Sequence, residues 1–535
     1  MSNIITHFFL FLFLIISNGL ILFKLKFFTK LDLNLIETSI LGLVATSFLA
    51  QLLNFFIPLN DTVIYCNLFI SIIILIIYRK KIHLKLNINA ILIILMMLFL
   101  SLAQIYSSGF SDDLTHYHGG QIANSDNFKY IVGINFLHNH YGFGSIWLLL
   151  HSYLNFNESF LQDIHILNAI TFFLILYYFI NESIKNDGTD NNFLFLLLAV
   201  FILFFLIKYT RLKEFGLDRP GTLLFCFLIY ISFKYKNIPV AHQSNLINLT
   251  LIICLFLTGI KLLFIFSFII TLFLIIKYKN FQFIQNKEFF LFFVFSLSYF
   301  GKNILWTGCL IYPLYFSCFT QLSWNSKDIA YKLMSAIEPH TKGFDSYKGS
   351  LTKQEYLQDF NWVQTWFGII SEEFLTYLGL SVLTVILIVA STRLAKNTTP
   401  HVWEKSLLLM LFFLNLVLFL KTPVIRYHHT LFILFTIIFL VSIKKKIVRK
   451  KTIFFSIIAI LLTFNFGKNL VRIHKNNYLN NPIQHLKEIK WYQEPTQKKL
   501  DNFTYFSGWI GAAPIGNTIL NNYKYKKIFF DIIYK

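Results

Sequence analysis

The chain has 535 residues, of which 56% are hydrophobic and only 14% are charged, and its formal net charge is +21. Soluble globular proteins carry roughly 25% charged residues, so this composition excludes a soluble protein and indicates one embedded in a membrane. The basic residues form short clusters between apolar runs, as in the cytoplasmic loops of membrane proteins, which argues against nucleic-acid binding as the reason for the positive charge.

Apolar runs long enough to form membrane-spanning helices recur along the chain, since a spanning helix needs about 20 mainly apolar residues. The first run has no basic residue ahead of it and no small-residue cleavage site behind it, so it predicts a helix rather than a cleaved signal peptide. The sequence predicts an all-α polytopic membrane protein with about 12–14 transmembrane helices, interfacial helices on the outer face and a small C-terminal outer lobe. The candidate helices lie near 8–24, 36–57, 63–78, 89–106, 161–180, 193–208, 217–233, 246–258, 261–276, 288–302, 372–392, 405–420, 428–443 and 452–466.

The distribution of Lys and Arg predicts which loops face the cytoplasm. The basic loops at 79–87 and 444–451 are typical of the inner side, and alternation places the N-terminus outside. This topology requires 142–156 to lie on the outer surface, as an interfacial or re-entrant helix, rather than to cross. It divides the chain into N-terminal transmembrane helices (1–106), an outer catalytic loop (107–160), further transmembrane helices (161–302), an outer loop region (303–371), C-terminal transmembrane helices (372–466) and an outer-face tail (467–535).

The five cysteines show no CxxC spacing of a metal or redox site. Cys66, Cys226 and Cys254 lie inside apolar runs and are expected to be small core residues. Cys309 and Cys318 fall in the predicted outer loop region and could pair, although the sequence favours free thiols.

A polar stretch at 111–127, SDDLTHYHGGQIANSDN, follows closely on the apolar run at 89–106. It brings carboxylates and imidazoles to a predicted membrane surface. Such groups are costly near lipid, so a cluster of them indicates a functional site. Scattered cations stand in other predicted outer loops, which predicts a pocket that handles a proton on one face and an anion such as a phosphate on the other. These cations are Arg219, Lys261 and Arg426.

The arrangement resembles the GT-C superfamily of integral-membrane glycosyltransferases. Those enzymes have many transmembrane helices and a long first outer loop that carries acidic residues near its start. They transfer a sugar from a polyprenyl-phosphate carrier on the non-cytoplasmic face. The resemblance implies the same activity here, in a bacterial inner membrane with the active site facing the periplasm or the outside.

A closer resemblance, over about the middle two-thirds of the chain, is to a poorly characterised bacterial group of multi-pass proteins. Their loop pattern reads approximately D-x-x-x-Y-H and then, about twenty residues later, L-H-x-x-x-G-F-x-S. The first part is matched by Asp113, Tyr117 and His118. The second part is matched by Leu137, His138, Gly142, Phe143 and Ser145. A later segment of the group is similar to Lys302–Leu305 through Gly308 to Tyr312–Pro313. The tail departs from the group, because it reads FSGWIGAAPIG without the group's cysteine.

The resemblance implies roles for these residues. Sugar transfer with inversion needs a carboxylate that deprotonates the acceptor hydroxyl. Asp113 is the candidate base, with Asp112 as its helper or as the base itself. The predicted substrate-binding residues are Tyr117, His118, His138, Arg219, Lys261 and Arg426, of which the three cations would hold the donor phosphate.

The expected partners are a polyprenyl-phosphate-linked sugar donor, a glycan or lipid acceptor and membrane lipids, with no nucleic acid. No glycine-rich phosphate loop is evident, which favours a lipid-linked donor over a nucleotide sugar. A Mg²⁺ or Mn²⁺ requirement is left open, with Asp112, Asp113 and His116 as candidate ligands.

Each feature also has a structural interpretation. Asp112 and Asp113 could cap a helix, and the histidines could serve only as hydrogen-bonding groups. Lys261 could extend to the membrane interface, and Asp218 with Arg219 could form a local surface pair. Arg426 could be a topological anchor. For the whole chain, the alternatives are a transporter or flippase of lipid-linked glycans, an O-antigen-type polymerase or ligase, and a non-catalytic membrane assembly factor.

Overall fold

The fold was obtained as a computed structural model. It describes residues 2–78, 88–107, 113, 117–155, 165–185, 192–212, 216–395, 402–442, 446–475, 497–500, 503–506, 524–527 and 531–534.

Helices dominate the described chain and its strands are short, which confirms the predicted all-α polytopic architecture. Eight of the described helices are long and apolar enough to cross a membrane by length and composition, and five further apolar helices are shorter. The eight long helices are α1 (Ser2–Lys24), α2 (Leu35–Leu53), α7 (Ile166–Lys185), α10 (Val240–Ile260), α12 (Lys287–Thr307), α15 (Trp362–Ala390), α16 (Val402–Lys421) and α18 (Lys451–Lys475). The five shorter ones are α3 (Asp61–Tyr78), α4 (Ile88–Tyr106), α8 (Asn192–Lys208), α11 (Phe268–Tyr278) and α17 (His429–Ser442), and α9 (Asp218–Lys234) follows α8 in the chain. The helices between them are α5 (Gly119–Asn127), α6 (Ile146–Tyr153), α13 (Lys327–Thr341) and α14 (Lys353–Leu357).

The core of the molecule lies where apolar helices are surrounded by other helices. Helices α7, α8, α9 and α10 bury nearly all of their described apolar side chains. By contrast, α3, α12 and α15 leave rows of large apolar side chains exposed, as expected for helices that face lipid. In lipid every backbone N–H and C=O group must be satisfied within the protein, and a helix satisfies them within one segment.

One buried ion network fixes the helix ends opposite the first large loop. The Lys234 ammonium lies 2.8 Å from Glu37 and 2.9 Å from Glu182. The Tyr178 hydroxyl donates to Glu37 at 2.5 Å. Removing one member would leave a buried charge without its partner, so the network holds the ends of α2, α7 and α9 together.

Six short strands in the described chain form three antiparallel pairs, each between strands that are consecutive in the sequence. They are β1 (Thr392–Ala395), β2 (Lys446–Arg449), β3 (Gln497–Leu500), β4 (Phe503–Phe506), β5 (Lys524–Lys527) and β6 (Asp531–Tyr534). The β1–β2 pair brings together two loops that the topology places on the same side of the membrane. The tail returns to the first large loop, because Val132 donates to the Asp531 carbonyl at 2.8 Å and Ile533 donates to the Val132 carbonyl at 2.9 Å.

The short helix predicted within 142–156 is α6, and it is buried among other helices. All eight residues of α6 are buried. The helix packs against α2, α3, α5 and α10. Its start is fixed by Ser145, whose hydroxyl donates to the Ile260 carbonyl at 2.8 Å and accepts from the Trp147 N–H at 3.2 Å. The length of the apolar run was enough to predict a helix too short to cross a membrane. The burial of that helix depends on other helices that are distant in the chain.

Cys309 and Cys318 form a disulfide, so the expectation of free thiols at these positions is wrong. The disulfide closes a hairpin in which Leu310 donates to the Ser317 carbonyl at 2.9 Å and Phe319 donates to the Gly308 carbonyl at 2.8 Å. Cys226 and Cys254 are buried free thiols as predicted, whereas Cys66 is exposed. We call the segment 308–319 the disulfide hairpin.

Two glycines allow α1 and α2 to approach closely. A Cβ added at Gly42 would collide with the Ile15 carbonyl and the Gly19 backbone, and one added at Gly19 would collide with Thr38. Small residues at helix crossings are a common basis of packing in membranes, because they let two backbones meet.

We therefore expect Gly42→Val to lower the thermal unfolding midpoint of the purified protein, since overpacking a tight contact costs about 1–3 kcal/mol. Gly379→Val in α15 is the matched control, because a Cβ there meets nothing within 4 Å. Thermal unfolding in detergent measures both variants. Equal midpoints for the two would contradict the close contact of α1 and α2.

Candidate functional site

Asp113 and Arg426, which sequence reasoning assigned to different roles, are in direct contact. An Arg426 guanidinium nitrogen lies 3.2 Å from an Asp113 carboxylate oxygen. Arg426 stands in a single turn of 3-10 helix, Ile425–Tyr427, immediately before α17. Both side chains are partly exposed, at 29% for Asp113 and 46% for Arg426, so the pair is open to a ligand.

A second ion pair lies beside the first. The Lys261 ammonium is 2.5 Å from an Asp218 carboxylate oxygen. The same ammonium lies over the Tyr427 ring, 3.1 Å from its centroid. Arg426 donates to the Tyr427 hydroxyl at 3.2 Å. The two cations therefore flank one tyrosine, and each is held by its own carboxylate. We call Asp113, Arg426, Tyr427, Lys261 and Asp218 the paired-charge cluster.

Tyr117 and His118 form the buried wall behind the cluster. Their rings meet edge to face at 4.3 Å. Burial, reinforced by the Asp113 carboxylate, raises the pKa of Tyr117 well above its ordinary value, so the phenol keeps its proton. Burial lowers the pKa of His118 to about 4, against the opposing effect of Asp113. His118 is therefore a neutral imidazole at pH 7, not a cation for phosphate.

The His118 ring has unused hydrogen-bonding capacity. It is 2% exposed, and neither of its ring nitrogens has a hydrogen-bond partner among the described residues. A buried polar group without a partner costs free energy, and a catalytic role or a bound water is among the explanations for one that is retained. His118 therefore has a nitrogen available for a substrate hydroxyl or a water.

His138 lies one layer behind this wall. Its ring accepts a hydrogen bond from the His140 N–H at 3.3 Å, and so caps the short helix Asn139–Phe143. The His140 ring then stacks on Tyr117 at 5.1 Å. His140 therefore lies between His138 and Tyr117, so an effect of His138 on a substrate at Tyr117 would pass through His140.

The rest of the second motif serves packing. A Cβ at Gly142 would collide with Tyr312, and Gly144 adopts the left-handed conformation against Trp306. The buried Lys302 ammonium donates to the Gly144 carbonyl. The motif loop and the later segment that resembled the same bacterial group therefore form one packed unit, which supports the site from behind.

Arg219 faces a neighbouring hydrogen-bond network rather than Asp218, which pairs with Lys261. Arg219 donates to the Arg211 carbonyl and lies 5.3 Å from the centroid of the Tyr209 ring. The Tyr209 hydroxyl is 3.0 Å from His429 Nδ1, and the Tyr377 hydroxyl is 2.5 Å from His429 Nε2. This network joins α9 to α15 and α17 beside the paired-charge cluster.

Two of the predicted site residues, Asp112 and His116, lie outside the described residues. Within the described chain no group of three or more His, Cys, Asp and Glu side chains is placed to hold a metal ion. Of the metal candidates only Asp113 is described, and its carboxylate is in contact with Arg426.

Sequence reasoning missed the role of Tyr427 as the ring between two cations, and it weighed Asp218 only as a partner of Arg219. The sequence placed both in predicted outer loops but gave no signal for their contacts. Lys261 follows α10 directly, and only the packing of α10 against α9 brings its ammonium to Asp218.

A family model described as a domain of unknown function, DUF8201, matches residues 1–433. The match covers the whole paired-charge cluster and ends within α17. The chain belongs to the DUF8201 family. No curated protein matches the chain, and no solved structure does.

The buried His118 gives this DUF8201 protein a specific dependence of stability on pH. An unfolded histidine binds a proton near pH 6.5, whereas the folded pKa of His118 is about 4. His118 therefore lowers the free energy of unfolding by about 3 kcal/mol as the pH drops through this window, and it has no effect on that free energy above it. We expect the thermal midpoint of His118→Asn to fall less than that of the wild type between pH 6.5 and 4.

The exposed His474 supplies the control, since His474→Asn should keep the wild-type pH dependence. Thermal unfolding in detergent at a series of pH values is the measurement. Equal pH dependence in the wild type and His118→Asn would contradict a buried, neutral His118.

Proposed function

We propose that this chain is a membrane glycosyltransferase of GT-C type that moves a sugar from a polyprenyl-phosphate donor to an acceptor hydroxyl on the non-cytoplasmic face. The observation that carries the proposal is the contact between Asp113 and Arg426 beside Lys261. It joins a candidate proton acceptor to two cations suited to a phosphate. The resemblance of the first loop to GT-C enzymes points to the same chemistry.

Arg426 and Lys261 suit a phosphate because each is positioned by a carboxylate and remains partly exposed to solvent. Arg426 can present two N–H groups to two phosphate oxygens, and Lys261 can add a point charge from the other side of Tyr427. A donor phosphate competes with the Asp113 carboxylate for Arg426. Donor binding would then free that carboxylate beside the bound sugar.

The reaction follows from this exchange. The acceptor oxygen forms a bond to the anomeric carbon as its proton passes to Asp113. The bond between the anomeric carbon and the phosphate oxygen breaks, and the phosphate leaves with the electron pair. Arg426 and Lys261 stabilise the charge that develops on the leaving phosphate. His118, a neutral imidazole, orients a sugar or acceptor hydroxyl.

A divalent metal would supply further neutralisation of the phosphate charge, with Asp112, Asp113 and His116 as its candidate ligands. Of these only Asp113 lies in the described chain, where its carboxylate contacts Arg426. The proposal therefore assigns the phosphate to the two cations and routes no step through a metal.

The Cys309–Cys318 disulfide supports the proposed orientation. Disulfides persist in oxidising compartments and are rare in the cytosol. The hairpin that contains it contacts the site loop, because the Tyr312 hydroxyl donates to the Asn139 carbonyl at 3.0 Å. This favours a site that faces away from the cytoplasm, and the proposal takes the bacterial inner membrane from the resemblance to GT-C enzymes.

The transporter alternative has less support. It predicted ionisable residues in the middle of helices. In the described helices the buried carboxylates lie near helix ends, as with Glu37 near the start of α2, Glu182 near the end of α7 and Glu288 at the start of α12. These positions suit structural ion pairs and caps better than a transport path.

We expect Asp113→Asn to lower the rate of sugar release from polyprenyl-phosphate sugars by about 10²- to 10⁴-fold, because the amide cannot accept the proton. Asp345→Asn, at an exposed carboxylate in the 303–371 loop, is the control and should keep full turnover. The assay uses purified protein and a panel of donors, with and without Mg²⁺ or Mn²⁺. Unchanged turnover in a folded Asp113→Asn would remove Asp113 as the base.

A second prediction concerns donor binding. Arg426→Gln should raise the KM for the donor by about tenfold or more, since a charge-assisted hydrogen bond is worth about 1.5–3 kcal/mol. Arg426→Lys should recover part of the loss, because it keeps the charge without the two-pronged geometry. The nearby exposed Lys421, which pairs with Glu338, supplies the control Lys421→Gln. An unchanged donor KM in Arg426→Gln would exclude Arg426 from the phosphate site.

A further inference from the structure

A small cavity opens on the loop region 303–371, outside the paired-charge cluster. Its volume is about 300 Å³, at the small end of the range for ligand pockets. It is lined by Tyr315, Lys327, Asp328, Tyr331 and Lys332. No step of the proposed reaction uses these residues.

We infer that this cavity is a carbohydrate-binding subsite that holds the glycan part of the acceptor. The inference rests on the proposed function and names the acceptor as a glycan rather than a lipid alone. A cavity of this size takes one or two sugar rings. The remainder of the acceptor would extend toward Asp113.

The side chains match the two kinds of surface on a sugar ring. A pyranose has a face of C–H groups, which packs on aromatic rings, and an edge of hydroxyls, which needs donors and acceptors. Tyr315 and Tyr331 supply two rings at right angles, with centroids 5.3 Å apart. The Tyr331 side chain is 57% exposed, so its ring is accessible. Lys327 and Lys332 can donate to hydroxyls, and Asp328 can accept from them.

The cavity is built on a rigid base. Tyr315 lies in the disulfide hairpin, and the other four lining residues lie on α13. Cys309, Tyr312 and Ala330 form a small separate apolar core between the hairpin and α13. A site that is already held in place loses less conformational entropy when it binds, which favours a weakly binding ligand such as a sugar.

Direct contacts connect the cavity to the site. From the same hairpin, the Tyr312 hydroxyl donates to the Asn139 carbonyl at 3.0 Å. The Asn139 side-chain oxygen is 2.7 Å from His140 Nδ1, and the His140 ring stacks on Tyr117. The hairpin that carries Tyr315 and the wall of the paired-charge cluster therefore contact the same short segment, Asn139–His140.

An anion is a less suitable ligand for this cavity. Lys327 and Lys332 would attract it, but the Asp328 carboxylate lines the same space and would repel it. The two tyrosine rings offer an anion no direct charge interaction. The combination of two rings, two donors and one acceptor favours a neutral polyhydroxyl compound.

Saturation-transfer NMR on the full-length protein in detergent tests the inference without any donor or turnover. The probes are the methyl glycosides of glucose, galactose, mannose and N-acetylglucosamine, with inorganic phosphate in a parallel titration. We expect ring protons of at least one glycoside to receive saturation from the wild type. Tyr331→Ala should weaken that binding about tenfold, and Tyr331→Phe, which keeps the ring, should retain most of it.

Phe316→Ala is the matched control, because Phe316 is 72% exposed on the same hairpin but does not line the cavity. The inference would be overturned if no glycoside received saturation from the protein, or if the wild type and Tyr331→Ala gave equal saturation-transfer signals. Phosphate binding that is lost in Lys327→Ala, without glycoside binding, would make the cavity an anion site instead. If the protein binds a glycoside but transfers no sugar from any donor, the proposed function is contradicted, whereas the carbohydrate-binding subsite is supported.

Discussion

The ion pair between Asp113 and Arg426 is the contact around which the candidate site is arranged. It joins the start of the first large loop to the turn ahead of α17. Because both side chains are partly exposed, the pair contributes only about 0–1 kcal/mol to folding, and its main effect is to place a carboxylate beside a guanidinium. Through Tyr427 the pair also contacts Lys261, which is bound to Asp218. Four segments distant in the chain thus meet around one ring, which has a cation on each of two contacts.

The packed loops behind the cluster explain how a polar site is accommodated in a protein that is mainly hydrophobic. Behind the cluster, the motif loop packs its glycines against Trp306 and Tyr312, and the Lys302 ammonium donates to the Gly144 carbonyl. The disulfide hairpin fixes the position of Tyr312. These contacts fill the space behind Tyr117 and His118, which leaves the paired charges as the open, ligand-accessible side.

Much of the fold could be predicted from the sequence, because membrane helices need long apolar runs and every predicted run contains a helix. The polar stretch from Asp113 to His118 also stood out, because such residues are rare near lipid. The burial of α6, the Cys309–Cys318 pairing and the Lys261–Asp218 contact could not be predicted. Each depends on packing between segments that are far apart in sequence or on local geometry that residue spacing does not specify.

A cryo-electron microscopy structure in lipid nanodiscs loaded with a polyprenyl monophosphate would test the central claim most directly. The account predicts phosphate density within hydrogen-bonding distance of Arg426 and Lys261, with the guanidinium drawn away from Asp113. The Asp113 carboxylate would then face the space beside the phosphate. Phosphate bound elsewhere, with the Asp113–Arg426 contact intact at its present 3.2 Å, would contradict the account.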